Sequence, residues 1–211
     1  MKNSVTIGVL AIQGDYAAHI KAFNSLGVAA QEIRRVEQLS EIDGLVLPGG
    51  ETTTLIKLLK IFDFWQRLPE LAIEGLPLYG TCAGLLLLAQ QVTNPVQDSL
   101  GLLPVVVERN AYGRQVDSFI VPGSVRMPAD LATTEASLLE TEFVFIRAPR
   151  ITKILGEVDV LARHDGAPVL IRKGSILGGS FHPEMTDDGI VPHLFVKMVE
   201  AARERRLNLS N

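Results

Sequence analysis

The stretch that most constrains this chain is Leu78-Tyr79-Gly80-Thr81-Cys82-Ala83-Gly84. An apolar strand over residues 76–79 runs into Gly-Thr-Cys-Ala-Gly, and a helical run over 85–91 leaves it. A strand that turns this sharply into a helix needs small residues around the turning residue, whose side chain is then thrust out alone. The sulfur of Cys82 is therefore expected at a helix N-terminus, where the dipole and free N–H groups favour negative charge. The same N–H groups, with Ala83 next to the cysteine, can hold a developing oxyanion. A lone cysteine can also be a buried structural thiol. The glycine framing argues against that, provided that a histidine partner exists elsewhere in the chain.

The strands and helices around this elbow alternate. Residues 5–12 are nearly continuously apolar, as suits a parallel strand buried on both faces. Gln13-Gly14-Asp15 ends the run, and Asp15 can cap a helix over 16–26 closed by Gly27. Strands are expected at 28–34 and 45–47, the latter stopped by Pro48-Gly49-Gly50-Glu51. Helix follows from there to about Phe62 and again over 64–73, with Pro69 expected to break or restart it. This is the pattern of an α/β fold with a doubly wound, mostly parallel sheet and flanking helices.

From Gly101 onward short strands are expected at 105–109, 117–121, 143–146, 158–163, 169–172 and 176–179. No long helix separates them, which reads as a partly antiparallel extension. An amphipathic helix over 190–206 closes the pattern. Residues 93–99 read as a loop within one domain spanning 1–211, a length with matter for one full core.

Charge excludes some roles. Twenty basic and 24 acidic residues leave a net charge of −4, and no block of five basic residues occurs. Nucleic acid is not an expected partner. The single cysteine excludes an internal disulfide and fits a reducing cytoplasm. The first residues lack a signal-peptide layout, and the apolar run at 5–12 is too short to span a bilayer, so no membrane partner is expected. Metal-ligand spacing and nucleotide fingerprints are both missing, so no metal and no cofactor are expected.

Cys82 needs a base, and the histidines are His19, His164, His182 and His193. Ser180-Phe181-His182-Pro183-Glu184 follows the strand at 176–179, which puts His182 at a strand end. In a doubly wound sheet the strand ends that face the ligand crevice lie on one edge. Pro183 biases His182 toward an extended backbone, where residues two apart point the same way. Glu184 can then hold one ring nitrogen while the other takes the thiol proton. Cys82, His182 and Glu184 thus read as nucleophile, base and orienter for attack on an amide or ester carbonyl through a thioester. The turn at Gly49-Gly50-Glu51-Thr52 is placed to supply a second oxyanion donor, Gly50. His164 stands in a turn, and His193 lies in the last helix. His19, on the first helix, either borders the site or packs.

Gly80-Thr81-Cys82-Ala83-Gly84, Pro48-Gly49-Gly50-Glu51 and His182-Pro183-Glu184 resemble the motifs of class I, triad-type glutamine amidotransferases. Four stretches narrow the resemblance to the glutaminase subunits of pyridoxal 5′-phosphate synthases. They are Leu10-Ala11-Ile12-Gln13-Gly14-Asp15, Arg109-Asn110-Ala111-Tyr112-Gly113-Arg114-Gln115, Phe145-Ile146-Arg147-Ala148-Pro149 and Ser180-Phe181-His182-Pro183-Glu184. The resemblance implies hydrolysis of L-glutamine to glutamate and ammonia. The ammonia would pass to a synthase subunit, within a large hetero-oligomer that makes vitamin B6. It further implies glutamine contacts at Gly50, Glu51, Thr52, Arg109, Ile146 and Arg147. It links Gln13 to oxyanion-hole formation at the subunit contact. Arginine suits a substrate carboxylate because its fork binds two oxygens. One departure is Ala18, where such subunits often carry Glu before the histidine that here is His19. A glutaminase for another acceptor, such as imidazole glycerol phosphate synthesis, and a non-catalytic thiol sensor are the competing readings.

Overall fold

The computed structural model describes residues 5–109, 118–132 and 138–209. In chain order the first half holds β1 (Thr6–Leu10), α1 (Tyr16–Ser25), β2 (Ala29–Ile33), β3 (Gly44–Leu47), α2 (Thr52–Ile61), α3 (Phe64–Ile73), β4 (Leu78–Thr81) and α4 (Ala83–Leu88). Then come β5 (Ala89–Thr93), β6 (Leu103–Glu108), β7 (Phe119–Arg126), β8 (Leu138–Phe145), β9 (Arg150–Ile154), β10 (Asp159–His164), β11 (Ala167–Lys173), β12 (Ile176–Gly179) and α5 (Ile190–Leu209).

The main sheet runs β10-β11-β12-β4-β3-β1-β2. From β12 to β2 every neighbouring pair is parallel, while β11 and β10 add an antiparallel edge. The α/β, mostly parallel sheet with an antiparallel extension is as expected. β3, β4 and β12 are buried along their whole length, because helices or further strands cover both of their faces. Alternation sorts their side chains. Leu45, Leu47, Leu78 and Ile176 pack with Leu55, Leu59, Phe64, Leu68 and Leu85 on the α2–α4 side. Val46, Tyr79 and Leu177 pack with Phe23 of α1, Phe195 and Val199 of α5, and Phe143 and Phe145 of the β7–β8 hairpin on the other.

Three expectations are corrected. The helix expected over 85–91 stops at Leu88, since Ala89 turns extended (φ −59°, ψ 153°) and opens β5, which pairs with β6. The stretch 150–154, not anticipated as a strand, pairs as β9 on the other side of β6. Both follow from pairing with a distant strand, which local pattern does not carry. Pro69 sits inside an unbroken α3. It removes one helix hydrogen bond at a cost of about 3 kcal/mol. Burial of Phe64, Leu68 and Leu71 from the same helix, at about 1.5–3 kcal/mol each, outweighs that. The strand expected over 117–121 is present from Phe119; Asp117 lies outside the described residues.

The elbow shows why its neighbours are glycine. A methyl on Gly84 would lie 2.0 Å from the Leu47 carbonyl oxygen, and one on Gly80 would lie 2.5 Å from the Gly84 carbonyl. Backbone packs directly on backbone there, so β4 can turn into α4 beside β3.

Candidate active site

Cys82 is half-buried at the tip of β4 with φ 50° and ψ −101°, a conformation that costs a non-glycine residue about 1–3 kcal/mol. The surroundings impose it. The Cys82 N–H donates to the Gly179 carbonyl at 2.8 Å, tying the end of β4 to the end of β12. Three residues beyond Gly179 the His182 N–H donates to the Val144 carbonyl of β8 at 2.9 Å. Gly49, in the turn after β3, lies between the two side chains. A methyl there would be 2.7 Å from His182 Cε1 and 3.4 Å from Cys82 Cβ. The ends of three adjacent parallel strands thus bring thiol, imidazole and glycine turn to one point.

His182 Nδ1 is 2.7 Å from Glu184 Oε1, as the sequence predicts, but not through the backbone it predicts. Residues 183–185 form a 3-10 turn rather than an extended run, and His182 has φ −112° and ψ 80°. Proline in the first position of that turn fixes it, and the turn folds Glu184 back under the ring. Nε2 is buried without a hydrogen-bond partner among the described residues and is the nitrogen left for the thiol. Burial pulls the imidazole pKa down, but Cys82 and Glu184 override it and push it up to about 10. Burial pushes the Glu184 carboxyl up, while His19 and His182 together bring it below the usual range.

Above this floor opens a cleft of about 300 Å³, the size of one small amino acid with its water. Gly50, Glu51, Ala83, Arg109, Ile146 and Arg147 line it together with Cys82 and His182. The structure therefore gathers eight of the sequence-predicted site residues at one cleft. Glu184 is buried behind His182. Thr52 is turned away, its hydroxyl donating to Gln97 Oε1 at 3.0 Å. Gln13 braces the rim: its side-chain carbonyl accepts from the Glu51 N–H at 3.2 Å. Glu51 caps α2, accepting from the N–H groups of Thr53 and Thr54 at 3.0 and 2.7 Å. Those bonds, led by Thr54, hold its carboxyl down to about 2. It also pairs with Arg109 at 2.8 Å. The stretch 110–115 named in the sequence comparison lies outside the described residues.

Two contributors escape sequence reasoning. Gln97, in the expected loop, accepts from both Thr52 and Arg109. His19, left open between site and packing, is buried against Glu184 and Thr81. Its only sequence signal is a histidine on the inward face of a short helix. Among the described residues no group of three or more His, Cys, Asp or Glu side chains is arranged to hold a metal ion. No described helix is long and apolar enough to cross a membrane.

A thiol facing an imidazole that a carboxylate holds from behind, set at the strand ends of a mostly parallel sheet, defines the class of triad-type glutamine amidotransferases. The chain matches the SNO glutamine amidotransferase family over residues 9–201 and belongs to it. It is 46% identical over 202 residues to the pyridoxal 5′-phosphate synthase subunit PdxT of Bacillus velezensis, covering 95% of this chain and 97% of that protein. With the PdxT subunit of Thermotoga neapolitana the identity is 45% over 196 residues, 92% of this chain and 99% of the relative. A crystal structure of a glutamine amidotransferase superposes with a TM-score of 0.82 at 40% identity, covering 92% of this chain and 98% of the other. PurLQS from Thermotoga maritima shares the fold alone, at TM-score 0.68 and 15% identity over 97% of this chain and all of that one (100%).

Proposed function

We infer that this chain is the glutaminase subunit of a pyridoxal 5′-phosphate synthase, hydrolysing L-glutamine to glutamate and ammonia. Near half of its residues match PdxT subunits along almost the whole chain. The observation that carries the chemistry is the shared cleft of Cys82, His182 and Arg109. His182 takes the thiol proton and Cys82 sulfur attacks the side-chain carbonyl carbon of glutamine. The oxyanion is held by the Gly50 and Ala83 N–H groups. His182 then returns the proton to the departing amide nitrogen, so ammonia leaves and a thioester remains. Water, deprotonated by His182, attacks the thioester and releases glutamate and the thiol. Glu184 keeps the ring aimed and supports its positive form. Glu51, Thr52, Arg109, Ile146 and Arg147 hold the amino-acid end of the substrate. Arg109 offers its fork to the carboxylate, and Thr52 takes part through its backbone, since its hydroxyl points away.

The ammonia acceptor is a synthase subunit in a large hetero-oligomer, and a single free thiol supports a cytoplasmic setting. We assign Gln13 to the subunit contact: a partner that moves its side chain also moves the Gly50-Glu51 turn that it braces. The PdxT relatives give no support to another acceptor. A thiol sensor would have no use for Glu184 or Arg109.

The test is glutamate release from glutamine, with and without the cognate synthase subunit, for the native chain and Cys82→Ala. Release by the native chain should rise with the partner. The variant should lose at least about a thousandfold. Appreciable turnover by folded Cys82→Ala would refute the nucleophile. Failure of the native chain under both conditions would refute the glutaminase.

A further inference from the structure

Behind Glu184 lies a buried polar group that the mechanism above leaves unused. His19 of α1 and Thr81 and Tyr79 of β4 meet Glu184 there, with exposures of 1%, 0%, 0% and 8%. His19 Nε2 stands 3.2 Å from Thr81 Oγ1 and 3.4 Å from Glu184 Oε1. The Tyr79 ring stands edge-on to the imidazole at 6.3 Å. An apolar side chain would fill this place without the cost of burying polar atoms, so packing alone does not account for a histidine.

The geometry fixes what the ring does. A bare nitrogen lone pair facing a carboxylate oxygen would repel it, so Nε2 carries its proton, hydrogen-bonded to Thr81 Oγ1 with its positive end beside Glu184 Oε1. Glu184 Oε1 thus lies between two imidazoles, hydrogen-bonded to His182 in front and facing the His19 N–H at 3.4 Å behind, while Oε2 is buried without a hydrogen-bond partner among the described residues. A carboxylate held from one side can swing to offer either oxygen. The positive end of the His19 N–H on the other side of Oε1 opposes that swing. Burial pushes the His19 pKa down, against the pull of the Glu184 charge.

We propose that His19 is a positioning residue for glutamine hydrolysis: its Nε2–H, hydrogen-bonded to Thr81, the residue before the nucleophile, turns its positive end to Glu184 Oε1 and holds that carboxylate in line with His182. The assignment rests on the glutaminase reading. The titratable groups facing Glu184 are His19 from α1, His182 from its own turn and Tyr79 from β4. Cys82 and Asp15 act one step further out, on His182 and His19.

The experiment compares His19→Leu with His19→Gln, whose amide N–H can reach the same oxygen, in the complex with the synthase subunit. His19→Leu should lower kcat by at least about tenfold and leave KM for glutamine unchanged, because His19 does not line the cleft. Its acid limb of kcat should move up by about one pH unit, since a carboxylate without that positive neighbour is easier to protonate. His19→Gln should keep most of the rate and the native limb. If the leucine variant does not fold, His19→Asn, too short to reach Glu184, replaces it. A second readout is alkylation of the single cysteine by iodoacetamide, which needs no glutamine. Its acid limb should move up by the same one pH unit in His19→Leu and stay in place in His19→Gln. Unmoved limbs of both kcat and alkylation in folded His19→Leu would overturn the proposal, as would equal losses in Gln and Leu. If alkylation behaves as stated while the native complex releases no glutamate, His19 still positions Glu184 and the glutaminase reading is what fails.

Discussion

The floor and the rim of the cleft are built on opposite terms. On the floor, Glu184 and His182 side chains are 1% and 12% exposed and meet at 2.7 Å. On the rim, Glu51 and Arg109 also meet, at 2.8 Å, but are 48% and 25% exposed. Water and salt screen the rim pair, so its position is worth little energy and it can open for a substrate carboxylate. The floor pair is desolvated, so a small displacement changes which group carries the proton. Chemistry is thus fixed by the sheet and recognition is left to side chains that can move. Mutations should divide accordingly: floor changes act on kcat, rim changes on KM.

The largest effect expected from this division is at Gly49, which has no charge and no proton. A methyl there would press on His182 Cε1 from 2.7 Å, the atom between the two ring nitrogens. The ring cannot retreat without leaving Glu184. Gly49→Ala should therefore lower kcat by about a hundredfold in the complex, near 2.7 kcal/mol of barrier, with a soluble fold and little change in KM. Native kcat in that variant would show that the ring position seen here is not the working one, and the floor would lose its claim to rigidity.

How far the sequence foretells this site depends on distance along the chain. The elbow was legible because its causes are local: Gly80 and Gly84 are small where backbone meets backbone. The continuous apolar strands β3, β4 and β12 were legible for the same kind of reason, burial on both faces. The contact of His182 with Glu184 was expected, yet from an extended chain that the 3-10 turn at Pro183–Met185 replaces. Two backbones can satisfy one i, i+2 pair, and only packing chooses between them. His19 and Gln97 join residues 62 and 45 positions away, a pairing that local pattern does not encode. The end of α4 at Leu88 was hidden likewise, since β6 supplies the partner that makes β5 a strand.

A smaller effect is expected on the rim. Arg109 donates to Glu51, Gln97 and Thr53 from one guanidinium, so the loop chain and α2 hold its fork in place. Arg109→Ala should raise KM for glutamine by about tenfold, some 1.4 kcal/mol, and leave kcat within about twofold. The KM of the native complex should also rise with ionic strength, more than that of the variant. If kcat falls by more than KM rises, Arg109 acts on the reacting end of the substrate. The line between floor and rim would then have to be redrawn.

The smallest effect tests whether the floor is electrostatically set even without substrate. The folded-state pKa of His182 is raised from 6.5 to about 10, against the pull of burial, by Cys82 and Glu184. Between those values the folded chain binds a proton that the unfolded chain has released. Stability from this group is complete below pH 6.5, declines as pH rises, and is gone above about 10. One linked proton gives at most about 1.4 kcal/mol per pH unit, and coupling to neighbouring groups reduces it. Urea unfolding of the native chain and His182→Gln from pH 6.5 to 9.5 should show the native curve falling more steeply, by about 0.5–1 kcal/mol per pH unit. The same comparison at the rim, with Arg109→Ala, should give parallel curves, because that guanidinium keeps its charge throughout. Parallel curves for His182→Gln as well would mean that the folded floor binds no more protons than the unfolded chain does, and that the positive form of the ring is not stored in the fold as an extra proton.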